Sequence, residues 1–107
     1  MSTALYDLDP GGQWPEVVRT VRPVGVLEMM DQDQPDEKIL VVPTRNPRFD
    51  RIRTVEDVFP HSLREIEHFF SIYKELEEKR TDMRGWRSTQ NARQVITSAR
   101  KRYAALR

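Results

Sequence analysis

Two apolar stripes at helical spacing fill the second half of this chain, and they constrain its fold most. Leu63, Ile66, Phe69, Phe70, Tyr73 and Leu76 recur on one helical face, and Ala92, Val95, Ile96, Ala99, Tyr103 and Leu106 on another. A one-sided helix is stable only when its stripe is buried against another layer. A chain of 107 residues has room for one modest core. The first half must therefore supply the partner surface, and the chain reads as a single domain over 1–107.

That first half offers only short extended runs. Residues 1–16 are weakly patterned, because Pro10, Gly11, Gly12 and Pro15 break regular structure. Residues 17–30 read as a strand through Val17, Val18, Val21, Val24, Val26 and Leu27, with Pro23 and Gly25 marking a bend or bulge. An acidic loop follows over residues 31–37. Residues 38–42 make a second short strand, stopped by Pro43, and residues 44–58 read as loop.

Pro60 then opens a helix, with Ser62 and Glu65 spaced as a capping box, running to about residue 78. Residues 81–86 read as an edge strand. Ser88 or Thr89 is placed to cap the last helix. An antiparallel β layer with both helices covering one side buries both stripes, which makes the fold class α+β. So few strands cannot close a sheet, so a further chain or segment is expected to complete it.

Composition removes several classes of function. Cysteine is absent, so thiolate metal sites, disulfides and cysteine nucleophiles are excluded. The two histidines, His61 and His68, cannot alone build a zinc site, and they read as structural or exposed. The longest apolar run is residues 39–42, far short of the roughly 20 residues of a membrane span. The N-terminus lacks the basic and apolar regions of a secretory signal, so a cytoplasmic location is expected.

Charge is uneven. Residues 1–60 carry 7 basic and 11 acidic side chains, and residues 61–107 carry 11 and 6. The last 24 residues hold seven Lys and Arg and no acid. Cations near a helix C-terminus complement its dipole, so this asymmetry reads as a solvated helix face rather than a nucleic-acid surface.

Three groups of residues suggest chemistry. Asp31, Asp33, Asp36 and Glu37 place four carboxylates within seven residues. Oxygen donors on a turn suit a hard cation such as Mg²⁺, which takes one or two carboxylates plus water and phosphate oxygens. The spacing is not that of an EF-hand, and most acidic hairpin loops are simply solvated. Lys38 follows two residues after Asp36, within reach of a phosphate sharing such a metal; the commoner reading is a surface lysine. Tyr73 lies on the apolar stripe, with Lys74 at its margin. A buried tyrosine hydroxyl needs a partner.

These residues stand in a recognisable order. Arg22-Pro-Val-Gly-Val-Leu-Glu-Met-Met-Asp31, Asp36-Glu-Lys38, Val41-Val-Pro43, Pro47-Arg-Phe-Asp50, Val55-Glu-Asp57 and His68-Phe-Phe-x-x-Tyr73-Lys74-x-Leu76-Glu77 resemble soluble inorganic pyrophosphatase of the first family. Gly85-Trp86 before an amphipathic helix is similar to that family's C-terminus. The resemblance runs from about residue 15 to 106, with 1–14 as a divergent segment.

It implies a partial small β-barrel, of the oligonucleotide-binding kind, with two amphipathic helices packed outside. It implies Mg²⁺-dependent hydrolysis of pyrophosphate to two orthophosphates. Asp31 and Asp36 match metal ligands, and Lys38, Tyr73 and Lys74 match phosphate contacts. Carboxylates gather cations, cations bridge phosphoryl oxygens, and ammonium or phenol donors neutralise the departing phosphate.

The chain also departs from the family pattern. The catalytic aspartate motif D-x-D-P-x-D is echoed only by Asp7-Leu-Asp9-Pro10, with Gly12 where the third aspartate belongs. Asp7 and Asp9 stand closer to Arg22 than the family spacing, which leaves open that they are unrelated sequence joined to a truncated relative. Gln32 replaces the carboxylate after Asp31. No catalytic residue is assigned. The expectation is an incomplete site with little or no turnover by this chain alone. The alternatives are an inactive relative that binds phosphate or metal, or a module that associates with itself or with a full-length pyrophosphatase through an open barrel edge.

Overall fold

The computed structural model describes residues 2–8, 20–77 and 81–105. Four strands form one sheet in the order β1-β3-β2-β4: β1 is Ser2–Asp7, β2 Val21–Asp31, β3 Gln34–Pro43 and β4 Thr81–Arg87. Two helices, α1 Pro60–Leu76 and α2 Thr89–Ala105, complete it. The fold is α+β, and the sheet is a partial barrel left open between β1 and β4.

The longest pairing is the β2–β3 hairpin, running from Val21 opposite Pro43 to Asp31 opposite Gln34. Its turn is only Gln32-Asp33, both with positive φ (53° and 65°). Such a two-residue turn matches the twist of the flanking strands. The expected acidic loop is thus mostly strand, and Asp36 and Glu37 stand on β3 rather than in a loop. Pro43 pairs as the last residue of β3 instead of stopping the strand before it.

Period-two alternation sorts the side chains by face. Val24, Leu27, Met29, Leu40 and Val42 form one core, joined by Phe49, Val58 and Ile66. Val26, Ile39 and Val41 pack with Ala92 on the other face. A register shift between Pro23 and Gly25 lets Val24 and Leu27 share a face, as the expected bulge requires. Gly25 is enforced by space: a Cβ there would lie 2.9 Å from the Arg87 carbonyl oxygen and 3.1 Å from Val55 Cβ.

Several expectations change. Residues 2–7 form β1, parallel to β3, where the sequence lacked a pattern. An edge strand needs only one apolar face and borrows its hydrogen bonds from its neighbour, so it carries a weak signal. The sheet is therefore mixed, and the helices serve opposite faces of it rather than one side.

The proposed capping box at Ser62 does not form. α1 begins two residues earlier, with Pro60 at its first position and Phe59 as N-cap, and the Ser62 N–H donates to the Phe59 carbonyl at 2.9 Å. Proline lacks an N–H and has its φ preset, so it starts a helix at no hydrogen-bond cost. Glu65 pairs with His61 at 2.7 Å. Ser88 does cap α2, its hydroxyl accepting from the Asn91 N–H at 3.2 Å.

The stripe on α1 is narrower than expected. Leu63, Ile66 and Phe70 pack on the core. Phe69, Tyr73 and Leu76 are 55%, 49% and 79% exposed. The open sheet meets only one arc of the helix, so residues one step round face outward. On α2, Tyr103 is likewise exposed. The expectations for residues 9–19, 78 and 106 lie outside the described residues.

The long connection after β3 is pinned rather than loose. Arg22 Nη2 donates to the Phe49 carbonyl at 3.0 Å and to the Ile52 carbonyl at 2.9 Å. The Asp57 carboxylate accepts from the Arg53 and Thr54 N–H groups, both at 2.9 Å. Those bonds hold its carboxyl below the usual aspartate value.

Candidate functional site

The polar site grows out of the periodicity of the core. On β2, Leu27 and Met29 face the main core, and Asp31 is the next residue on that face. On β3, Leu40 and Val42 face the same core, and alternation carries Lys38 and Asp36 onto their side. Met29 stands opposite Asp36 and Leu27 opposite Lys38. On α1, Leu63, Ile66 and Phe70 lie in a row, and Lys74 is its next member four residues on. The hydrocarbon face of each element thus ends in a charged group, at the same end of the core.

There the groups meet. Lys74 Nζ lies 2.7 Å from Asp31 Oδ2 and 3.2 Å from Asp36 Oδ2. Lys38 Nζ lies 2.9 Å from Asp36 Oδ1. Asp36 is 2% exposed and Lys74 7%. The Lys38 ammonium also sits 5.4 Å from the Phe70 ring centroid. Tyr6 of β1 packs edge-on against Phe70, 5.8 Å between centroids.

Electrostatics follow from this packing. Burial pushes the Asp36 carboxyl up, but hydrogen bonds from Lys38 and Lys74 outweigh it and hold the carboxyl below its usual value. Burial pulls Lys74 down, and its bonds to Asp31 and Asp36 reverse this, leaving it above its usual value. Asp36 and Lys74 therefore stay ionised across the neutral range. Glu37, on the other face of β3, is pushed up by burial and by Glu28 directly opposite.

Four of the five sequence candidates are joined by direct contacts: Asp31, Asp36, Lys38 and Lys74. Lys74 is central to the site rather than marginal. Tyr73 is not buried as its place in the stripe suggested; it is half exposed, and its ring stacks on Phe69 at 6.4 Å. It stands next to Lys74 in sequence, on the solvent side of the cluster.

Asp33 is in the hairpin turn and exposed. Glu37 faces away from the site on its strand. His68 is exposed, and His61 pairs with Glu65. Asp7 ends β1, opposite Val41, while Asp9 and Gly12 lie outside the described residues. Sequence reading missed two aromatic neighbours, Phe70 and Tyr6. Phe70 was visible only as a core residue, and Tyr6 lies on a strand the pattern did not reveal.

The donor set suits a hard divalent cation. Two carboxylates converge on one cation-sized position, where an ammonium already makes short contacts with both. Mg²⁺ commonly takes one or two carboxylates and completes its shell with water and phosphate oxygens. Among the described residues no group of three or more His, Cys, Asp or Glu side chains is placed to hold a metal. The fit is therefore to half of a site, not to a full protein cage.

Comparison with known proteins bears on the family and the fold. A family model described as inorganic pyrophosphatase matches residues 9–104. The chain belongs to the inorganic pyrophosphatase family. A pyrophosphatase of Methanosarcina mazei is 49% identical over 90 residues, covering 84% of this chain and 53% of that protein. One from Nostoc is 41% identical over the same length, with the same shares.

Among solved structures, the Helicobacter pylori pyrophosphatase superposes with a TM-score of 0.84 at 31% identity, covering 94% of this chain and 61% of that one. The Thermus thermophilus pyrophosphatase gives 0.80 at 33%, covering 94% and 58%. The chain thus spans about half the length of the curated relatives it matches.

Proposed function

We propose that this chain carries the part of a pyrophosphate-hydrolysing site that holds metal and phosphate. The observation behind the reading is the convergence of Asp31 and Asp36 on Lys74, with Lys38 on the other oxygen of Asp36. In this reading Asp31 and Asp36 take Mg²⁺, and Lys38, Tyr73 and Lys74 face phosphate oxygens. Bound Mg²⁺ supplies positive charge against the phosphoryl oxygens. Ammonium donors as little exposed as Lys38 and Lys74 hold phosphate more strongly than they would in bulk water. The substrate is pyrophosphate and the product orthophosphate, in the cytoplasm; among the described residues no helix is long and apolar enough to cross a membrane.

Among the described residues the carboxylates number too few for a complete multi-metal centre, and losing one essential group can remove orders of magnitude in rate. The chain alone therefore binds Mg²⁺ and phosphate but turns over weakly or not at all. Phosphate release from pyrophosphate with Mg²⁺, beside calorimetric titration of phosphate, tests this. Binding that is lost in Lys38→Met, with little turnover, is expected. Full turnover refutes the incomplete site, and absence of both binding and turnover refutes the phosphate role.

A second reading has the chain act by association. Beside edge strand β1 lies an apolar groove of about 340 Å³ lined by Leu5, Ile39, Ile96, Ala99, Arg100 and Tyr103. Leu5 and Tyr103 are 64% and 65% exposed. An open sheet edge beside an apolar groove favours pairing with a second copy or a full-length pyrophosphatase. Sedimentation of the chain alone and mixed with such an enzyme tests it; a monomer in both refutes it.

A further inference from the structure

We infer that Lys74 is a built-in cation of the half-site, holding the place of a divalent ion that must displace it to bind. The inference rests on the reading above, in which Asp31 and Asp36 take the metal. Its basis is geometric. The two oxygens bridged by Lys74 Nζ, Asp31 Oδ2 and Asp36 Oδ2, are those an ion joining the two carboxylates would use. The contacts, 2.7 and 3.2 Å, leave no space for a second cation between them. Asp31 and Asp36 would hold Mg²⁺, at about 2.0–2.1 Å from oxygen, only with the Lys74 ammonium out of the position it now takes between them.

Lys38 does not occupy the same place. It holds Asp36 through the other oxygen, Oδ1, at 2.9 Å, away from the position that Lys74 takes. Removing either lysine deletes one positive charge, but only Lys74 competes for the bridging position.

The arrangement has two consequences. Without metal, Lys74 neutralises a buried and a half-buried carboxylate that would otherwise repel each other, so the hairpin and α1 stay together. With metal held by the carboxylates, the flexible stem of Lys74 would carry its ammonium outward, free to donate to a phosphate oxygen. Metal entry then prepares the phosphate contact, and the lysine does both tasks in turn.

The test is calorimetric titration of the intact chain with Mn²⁺ and Mg²⁺, comparing wild type, Lys74→Met, Lys38→Met and Arg84→Met. Arg84 lies on the opposite face of the sheet, paired with Asp82, and controls for loss of charge alone. Lys74→Met should tighten metal binding about tenfold, within the usual range of coupling between sites, while Lys38→Met and Arg84→Met change it by less than about twofold. Equal tightening in Lys74→Met and Lys38→Met, or none in Lys74→Met, overturns the inference and leaves the metal site standing. No metal binding by wild type or Lys74→Met overturns both.

A wild-type measurement covers the case in which Lys74→Met does not fold. Amine acylation mapped by mass spectrometry should find Lys74 protected without metal, reactive with Mg²⁺, and protected again when phosphate is added. Protection unchanged at saturating metal refutes the displacement.

Discussion

Asp36 is the position where stability and the site coincide, and its replacement by Asn gives the sharpest test. The side chain is 3% exposed and ion-paired with two ammoniums, Lys38 at 2.9 Å and Lys74 at 3.2 Å. Removing one partner of a buried ion pair typically costs about 3–5 kcal/mol, because the other charge is stranded. Here Lys74 keeps Asp31 at 2.7 Å, and the Lys38 side chain is 13% exposed, so water relieves part of the cost. A loss of roughly 2–3 kcal/mol is expected for Asp36→Asn. At about 4–8 °C per kcal/mol for a domain of this size, Tm falls by roughly 10–20 °C.

Asp31→Asn should cost less, because the Asp31 side chain is 19% exposed against 3% for Asp36. Urea unfolding followed by circular dichroism measures both. The pH dependence fixes the cause. Asp36 is held below its ordinary value of 3.8, so its contribution is present above that value and is lost as pH falls through the lower folded-state value. Lys74 is held above 10.5, so its contribution is full below 10.5 and is lost as pH rises through its folded-state value. Asp36→Asn should show a smaller acid-side decline than wild type, with the part due to Asp57 remaining. A variant as stable as wild type, or an equal loss in Asp31→Asn, refutes the claim that Asp36 is the shared anion of the cluster.

Other positions give independent checks. Gly25→Ala places a Cβ 2.9 Å from a backbone carbonyl oxygen and should cost about 1–3 kcal/mol in urea unfolding, more than Gly85→Ala if space rather than φ decides. Arg22→Met strips hydrogen bonds from the Phe49 and Ile52 carbonyls; a loss of about 1.5–3 kcal/mol and faster proteolysis within residues 44–58 are expected. Changing Gln32-Asp33 to Asn-Gly suits a turn with positive φ at both positions, and should raise stability by roughly 0.5–1 kcal/mol by thermal unfolding.

Much of this protein was legible along the chain. The β2 bend at Pro23 and Gly25, the edge strand β4, both helices and the Ser88 cap follow from local spacing and turn chemistry. So do four members of the polar cluster, through motif resemblance, and the family itself. The bend, the strand, the helices and the cap are encoded by neighbours three or four residues apart, or by alternation, which one sequence displays directly; the cluster and the family rest on the motif resemblance.

Other features are not local. β1 has no pattern of its own, because its place is set by β3, more than thirty residues later. Phe69, Tyr73 and Leu76 read as core but face outward, since the width of the buried arc depends on how far the sheet extends over the helix. Ser62 and Glu65 have the spacing of a cap, yet Pro60 starts the helix first.

The sequence by itself set the chemistry: two carboxylates and two ammoniums at defined places on two strands and a helix. Only the tertiary structure decided their pairing, giving Asp36 to both lysines and Lys74 to both carboxylates. The reason is that ion pairing within such a cluster depends on distances of a few ångströms between elements far apart in the chain. Those distances are fixed by the packing of the core on which the charges stand.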